Sequence, residues 1–80
     1  DILYCESQAH WVWINTKDKS YKICKTLSDL YEQLDKEMMF QVHKSFIVNF
    51  NYIFTIKEGN IQLYHCDKLI PISRSYKKAF

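Results

Sequence analysis

Residues 41–49 read Gln41-Val42-His43-Lys44-Ser45-Phe46-Ile47-Val48-Asn49, so polar side chains lie between short apolar runs. A similar arrangement recurs at residues 70–76, which read Ile70-Pro71-Ile72-Ser73-Arg74-Ser75-Tyr76. Because exposed-type polar groups interrupt apolar chain at both positions, we expect both segments to contact a partner. Residues 40–42 are predicted to form a short strand, and residues 44–47 a turn or a single helical turn.

Apolar and aromatic runs on both sides of this segment predict further strands. They lie at residues 2–5, 10–14, 21–24, 52–57, 61–65 and 69–72. Turns are predicted between them at residues 7–9, 16–20, 58–60 and 66–68. Pro71 has no backbone N–H to donate, so the last strand belongs at a sheet edge or a strand end.

The second of these strands carries two tryptophans. Trp11 and Trp13 fall on one face of an extended chain, and Val12 and Ile14 fall on the other. Since both faces are apolar, we expect this strand to meet little solvent and both indoles to lie in the core.

A helix is predicted after Thr26, which is a suitable N-cap with Asp29 three residues later. Its apolar face has the spacing of one helical stripe, Leu27, Leu30, Tyr31 and Leu34. Glu32 and Asp35 lie on the outer face. We therefore expect this acidic helix to point away from any nucleic acid.

Basic residues concentrate in the second half of the chain. Residues 38–80 contain two acids and six bases, whereas residues 1–37 contain seven acids and five bases. Ser73 is predicted to cap a C-terminal helical segment that carries Arg74, Lys77 and Lys78 on one face. This stripe suits a phosphate backbone, and the Arg74 guanidinium also matches guanine O6 and N7. The alternative for Arg74 is a surface ion pair with Asp67 or Glu58.

Length and composition indicate one globular domain over residues 1–80. The 80 residues are 48% hydrophobic with one glycine and one proline, enough for a single modest core. We expect a soluble protein with no membrane segment. Three cysteines without CxxC spacing favour a reducing environment over a disulfide framework or a metal site. The first residue is Asp1 rather than Met, so we expect the chain to be part of a longer protein.

Residues 2–7 with His10, residues 40–49 and residues 70–76 together resemble the LytTR-type DNA-binding domain of bacterial transcriptional regulators. The resemblance spans essentially the whole chain. It implies a mainly β fold, an elongated arrangement of small antiparallel sheets with one short helix and a short C-terminal helical segment. It also implies that loops, rather than a recognition helix, enter the DNA.

In this family the DNA contacts come from the loop before the second strand, the loop with a His-basic-Ser motif, and the segment after the last strand. The resemblance places them on His10, Lys44, Ser45 and Arg74, and with less weight on Ser75, Tyr76, Lys77 and Lys78. Lys44 stands where the family most often has arginine, so we expect it to contact phosphate rather than a base. The alternative for His10 is packing beside Trp11. We expect His43 to hydrogen-bond inside the domain and Asn49 to stabilise a turn.

The resemblance implies sequence-specific binding of double-stranded DNA by the effector domain of a two-component response regulator in the cytoplasm. It implies a receiver domain upstream, a dimer on direct repeats in promoters, bending of the DNA, and no cofactor. An enzyme is not expected, because a triad of His43, Ser45 and Asp67 would lack a nucleophile elbow and a deep pocket. The alternative is a protein interaction module that binds a peptide at a sheet edge.

Overall fold

The computed structural model describes residues 2–75, which form eight strands and one α-helix. The elements in chain order are β1 (Ile2–Gln8), β2 (Trp11–Thr16), β3 (Ser20–Ile23), α1 (Leu27–Gln33), β4 (Met39–His43), β5 (Phe46–Asn49), a 3-10 turn (Phe50–Tyr52), β6 (Ile53–Lys57), β7 (Asn60–Leu63) and β8 (Leu69–Pro71). Every strand pairing is antiparallel. The predicted mainly β class is confirmed.

Two sheets and the helix enclose two hydrophobic cores. The strand order is β3-β2-β1-β5-β4 in the larger sheet and β6-β7-β8 in the smaller one. Helix α1 covers one face of the larger sheet around the buried residues Cys5, Val12, Leu27, Leu30, Met39 and Ile47. The smaller sheet covers the other face around Leu3, Val42, Phe46, Val48, Ile61, Leu63 and Ile70. The larger sheet is thus the middle layer of three.

Two β-bulges adjust which side chains reach the second core. The register shifts between Ile2 and Tyr4 in β1, and between Gln41 and His43 in β4, so each strand carries one extra residue there. The extra residues are Leu3 and Val42, and both are buried against the smaller sheet. At the first bulge two successive residues, Leu3 and Tyr4, therefore pack against the same core, which regular alternation would not allow.

The prediction for residues 44–47 is wrong in part. Lys44 and Ser45 do form a turn, but Phe46–Asn49 is a strand in which all four residues are buried. Strand β5 lies inside the sheet with α1 on one side and β6–β8 on the other. A strand covered on both faces has no polar alternation, so its sequence does not distinguish it from a buried helical turn.

The expectation that both indoles lie in the core is also wrong. Trp11 is 42% exposed and Trp13 is half-buried, while Val12 between them is fully buried under α1. The smaller sheet packs over β1, β5 and β4, so the tryptophan face of β2 extends beyond its cover. The Nζ atom of Lys22 lies 4.6 Å from the ring centroid of Trp11 and 5.7 Å from that of Trp13.

Helix α1 forms as predicted. The backbone N–H of Asp29 donates to Oγ1 of Thr26 at 3.1 Å, which satisfies one of the free N–H groups of the first turn. Leu27 and Leu30 are buried. The helix ends at Gln33, so Asp35 lies beyond it rather than on its outer face. There Asp35 accepts a hydrogen bond from the N–H of Glu37 at 2.9 Å.

Three hairpin turns are shorter than predicted, because residues assigned to each turn lie in the flanking strands. Ser7 and Gln8 continue β1, and only Ala9 and His10 form the turn to β2. The β6–β7 hairpin turns at Glu58 and Gly59, whose φ angles of 54° and 77° suit a type I′ turn. Pro71 lies in the edge strand β8, as expected. The principal-axis extents are 31, 28 and 24 Å.

Candidate nucleic-acid interface

His10 lies at the tip of the β1–β2 hairpin. Gln8 and Trp11 pair across the strands, which leaves a loop of only two residues, Ala9 and His10. Ala9 has a φ of 54°, and His10 is exposed. No ring contact joins His10 to Trp11 in the part of the chain that the structure describes. The imidazole is therefore accessible at the tip.

Lys44 and Ser45 form a second two-residue loop, between β4 and β5. His43 pairs with Phe46 across the strands, and Nδ1 of His43 accepts a hydrogen bond from the backbone N–H of Ser45 at 3.1 Å. The imidazole also meets the Phe46 ring edge-on, with centroids 5.6 Å apart. His43 therefore stabilises the turn from inside the domain, as expected, while the Lys44 side chain is exposed.

These two loops lie at the same end of the larger sheet. Glu6 of β1 pairs with Phe46 of β5, and the backbone N–H of Ser7 donates to the carbonyl oxygen of Ser45 at 2.9 Å. The end of β1 that leads into His10 is thus bonded directly to the Lys44-Ser45 loop.

The segment after β8 arrives at this end as well. The N–H of Ile72 donates to the carbonyl of Gly59, and the N–H of Ser73 donates to the carbonyl of Val42, each at 2.8 Å. Val42 precedes His43, so the chain passes from the smaller sheet to the end of β4 immediately before Arg74. This brings together the predicted sites His10, Lys44, Ser45 and Arg74, which are far apart in sequence.

Arg74 and Ser75 are exposed. Within residues 2–75 no ion pair joins Arg74 to Asp67 or Glu58, so the alternative role for the guanidinium is not observed. The remaining predicted contacts, and most of the predicted C-terminal helical segment, lie outside the described residues; they are Tyr76, Lys77 and Lys78.

The carboxylate of Glu6 in β1 is paired, and that of Asp35 lies far from this end. Glu6 accepts a hydrogen bond from Nζ of Lys68 at 2.9 Å and another from Nε2 of Gln8 at 3.2 Å. Asp35 lines a depression with Ile2 and Asn49 at the opposite end of the sheet. Within residues 2–75 the exposed cations Lys44 and Arg74 are therefore not paired with either of these carboxylates.

Asn49 is buried and hydrogen-bonded inside the domain, and the three cysteines are free thiols. Asn49 is 3% exposed; its Nδ2 donates to the carbonyl of Ile2 at 2.8 Å, and its Oδ1 accepts from the N–H of Asn51 at 2.9 Å. It caps the 3-10 turn, as expected. Cys5, Cys24 and Cys66 are free thiols, and burial raises the pKa of Cys5 to about 12.

Sequence reasoning missed Lys25 as a residue of this end. The register of β2 and β3 pairs Val12 with Ile23, so the chain leaves β3 close to the start of β2. Lys25 follows two residues later and lines the same depression as Lys44 and Ala9. The β2–β3 hairpin pattern contains this information, provided that the register of the two strands is followed.

A family model described as the LytTr DNA-binding domain matches residues 1–80. The chain belongs to the LytTR family. The sensory transduction protein LytT of Bacillus subtilis (strain 168) is 33% identical over 82 residues, covering 98% of this chain and 34% of LytT. The transcriptional regulatory protein YpdB of Escherichia coli O6:H1 is 31% identical over 85 residues, covering 100% of this chain and 35% of YpdB.

A solved LytTr DNA-binding domain from Bacillus cereus has the same fold as this LytTR domain. The TM-score is 0.87 at 24% identity, over 99% of this chain and 76% of the other. The chain spans about a third of the length of LytT and of YpdB. The resemblance and the DNA-binding class that follows from it are confirmed. In residues 2–75 no helix is long and apolar enough to cross a membrane.

Proposed function

We propose that this LytTR domain binds double-stranded DNA sequence-specifically by inserting the Ala9-His10 loop, the Lys44-Ser45 loop and the segment from Arg74 into the grooves. The observation that carries the proposal is the convergence of these three segments at one end of the larger sheet. Two backbone hydrogen bonds establish it, from Ser7 to Ser45 and from Ser73 to Val42.

The side chains divide by the chemistry of their groups. Arg74 has a planar fork that can bind guanine O6 and N7 together, so it reads a base. Lys44 is a point charge and neutralises a phosphate. His10 contacts a base edge from the hairpin tip, and Ser45 donates from its hydroxyl. Further contacts with the phosphate backbone of the DNA come from the C-terminal segment, from Ser75, Tyr76, Lys77 and Lys78.

We infer that the domain is the C-terminal effector part of a two-component response regulator with an upstream receiver domain. In support, it matches about a third of LytT, a sensory transduction protein, and of YpdB, a transcriptional regulatory protein. We expect the regulator to bind direct repeats in promoters as a dimer and to bend the DNA. We expect it to be located in the cytoplasm, where the bacterial DNA lies. The role is binding rather than catalysis, and it uses no cofactor.

Selection from a random duplex library, followed by salt titration of the winning sequence, tests the proposal. Arg74→Ala should cost about 1–3 kcal/mol and relax the preference at one base pair. Lys44→Ala should weaken all sequences alike and flatten the slope of log affinity against log salt by about 1. Glu32→Gln is the control on the acidic helix and should leave binding intact.

Each outcome has a distinct meaning. A uniform loss across sequences for Arg74→Ala would make it a phosphate contact. Weaker binding by a folded Glu32→Gln variant would overturn the orientation. If no sequence is enriched by the folded wild type, the interaction module becomes the better hypothesis. The exposed edge strand β3 would then be the first surface to test.

A further inference from the structure

A shallow polar depression lies beside the Lys44-Ser45 loop. Lys44 and Trp11 line one side, and Lys25, Thr26 and Ser28 line the other. Most of its surface is polar, and it opens at the same end of the larger sheet as His10 and Arg74. None of the residues on the Lys25 side is a predicted DNA contact.

Strand direction fixes this position for Lys25. Strand β3 runs antiparallel to β2, so it begins beside the end of β2, where Asn15 pairs with Ser20, and ends where Val12 pairs with Ile23. The connection from β3 to α1 therefore starts at the end of the sheet that carries His10. The β2–β3 turn, with Lys17, lies at the opposite end.

The charge of this depression is unbalanced. Within residues 2–75 neither Lys25 nor Lys44 forms an ion pair, and no acidic side chain lines the depression. Two other depressions that contain lysines also contain a carboxylate, Glu58 beside Lys57 and Asp18 beside Lys17 and Lys19. An uncompensated pair of cations facing one polar hollow attracts an anion.

We propose that Lys25 binds a backbone phosphate of the DNA duplex in this depression, beside the DNA contact of Lys44. The inference rests on the proposed function, because it extends the same interface across the face of the sheet towards α1. The hydroxyl group of Thr26, which precedes α1, lines the hollow and can donate a hydrogen bond to a phosphate oxygen. The contact adds affinity without sequence preference.

Fluorescence anisotropy titrations of a labelled duplex with wild type and Lys25→Ala test this proposal. Loss of one phosphate contact flattens the salt slope by about 0.9, so the affinity ratio of wild type to variant should shrink about 3.5-fold between roughly 50 and 200 mM salt. The loss should be equal for the selected sequence and for a random duplex. Lys25→Arg should keep the wild-type slope, since it keeps the charge.

Lys17→Ala is the matched control. It removes one exposed lysine from the opposite end of the sheet and should leave the slope unchanged. If Lys44→Ala flattens the slope but Lys25→Ala does not, the phosphate contact of Lys25 is wrong and the proposed function stands. A folded wild type whose affinity for DNA does not change with salt would overturn both.

Discussion

The hydrogen bond from Ser45 to His43 can be tested by replacing His43 with residues that do or do not restore an acceptor. Nδ1 accepts the Ser45 N–H at 3.1 Å, so the proton of the neutral ring is on Nε2. His43→Ala removes this acceptor and the edge-on contact with Phe46. His43→Asn places Oδ1 at the same distance along the side chain as Nδ1, whereas His43→Gln places its acceptor one bond further out.

The magnitudes follow from these contacts. An unpaired, half-buried N–H costs about 1–3 kcal/mol, and loss of the aromatic pair adds about 0.5–1.5 kcal/mol. His43→Ala should therefore cost about 1.5–4.5 kcal/mol. A domain of this size has only about 4–12 kcal/mol in total. His43→Asn loses the ring contact but keeps the hydrogen bond, and it should cost about 1 kcal/mol.

Urea and thermal unfolding measure these free energies. Each kcal/mol lost corresponds to a Tm lower by roughly 4–8 °C at this chain length. DNA titration well below the lowered Tm then separates the two consequences of the bond. Because Lys44 lies in the turn that His43 stabilises, His43→Ala and His43→Gln should bind DNA more weakly even when fully folded, and His43→Asn should recover most of the affinity.

Equal destabilisation by Ala, Asn and Gln at this position would refute the reasoning. It would mean that the ring contact with Phe46, and not the hydrogen bond to Ser45, stabilises the turn. Equal DNA affinity for all three folded variants would mean that the Lys44-Ser45 loop keeps its conformation without His43.

Three other predictions concern Asn49 and the cysteines. Asn49→Ala removes two hydrogen bonds from a buried position and should lower the unfolding free energy by about 2–3 kcal/mol. Asn15→Ala removes the surface hydrogen bond that Oγ of Ser20 donates to Oδ1 of Asn15, and it should cost about 0.5 kcal/mol or less in the same urea experiment. Alkylation followed by mass spectrometry should modify exposed Cys24 quickly and Cys5 only after unfolding. Burial raises the pKa of Cys5 from 9.0 to about 12, so its neutral thiol stabilises the fold below pH 9. As the pH rises from 9 towards 12 this contribution should be lost, by about 1.4 kcal/mol per pH unit relative to Cys5→Val.

Local patterns were sufficient for elements with one buried face. Thr26 and the apolar stripe of α1 predict the helix, because an N-cap residue followed by apolar residues every 3.6 positions is typical of a helix and not of a strand. The β6–β7 hairpin follows from alternation around Glu58 and Gly59. Strand β5 could not be predicted in this way, since its burial on both faces depends on layers formed by distant parts of the chain.

Side-chain exposure was harder to predict than strand position. Trp11 lies on a predicted strand, yet its exposure depends on how far the smaller sheet extends over the larger one. The bulges at Leu3 and Val42 likewise depend on the packing of two sheets that no local pattern describes. The resemblance placed the candidate contact residues on three separate segments of the chain. Their convergence at one end of the sheet, and the approach of Lys25, follow only from strand order and register.

The candidate contact residues should lose less backbone entropy on binding DNA than residues on a long flexible loop would. His10, and Lys44 with Ser45, lie in two-residue turns closed on both sides by paired strand residues. The Ser7–Ser45 hydrogen bond connects these turns, so their spacing is set before any DNA arrives. Binding then needs little ordering of the backbone, and more of the contact energy is available for affinity. A preformed protein edge changes shape little, so a mismatch with straight DNA has to be met by the duplex, which is the physical reason to expect bending on the proposed site.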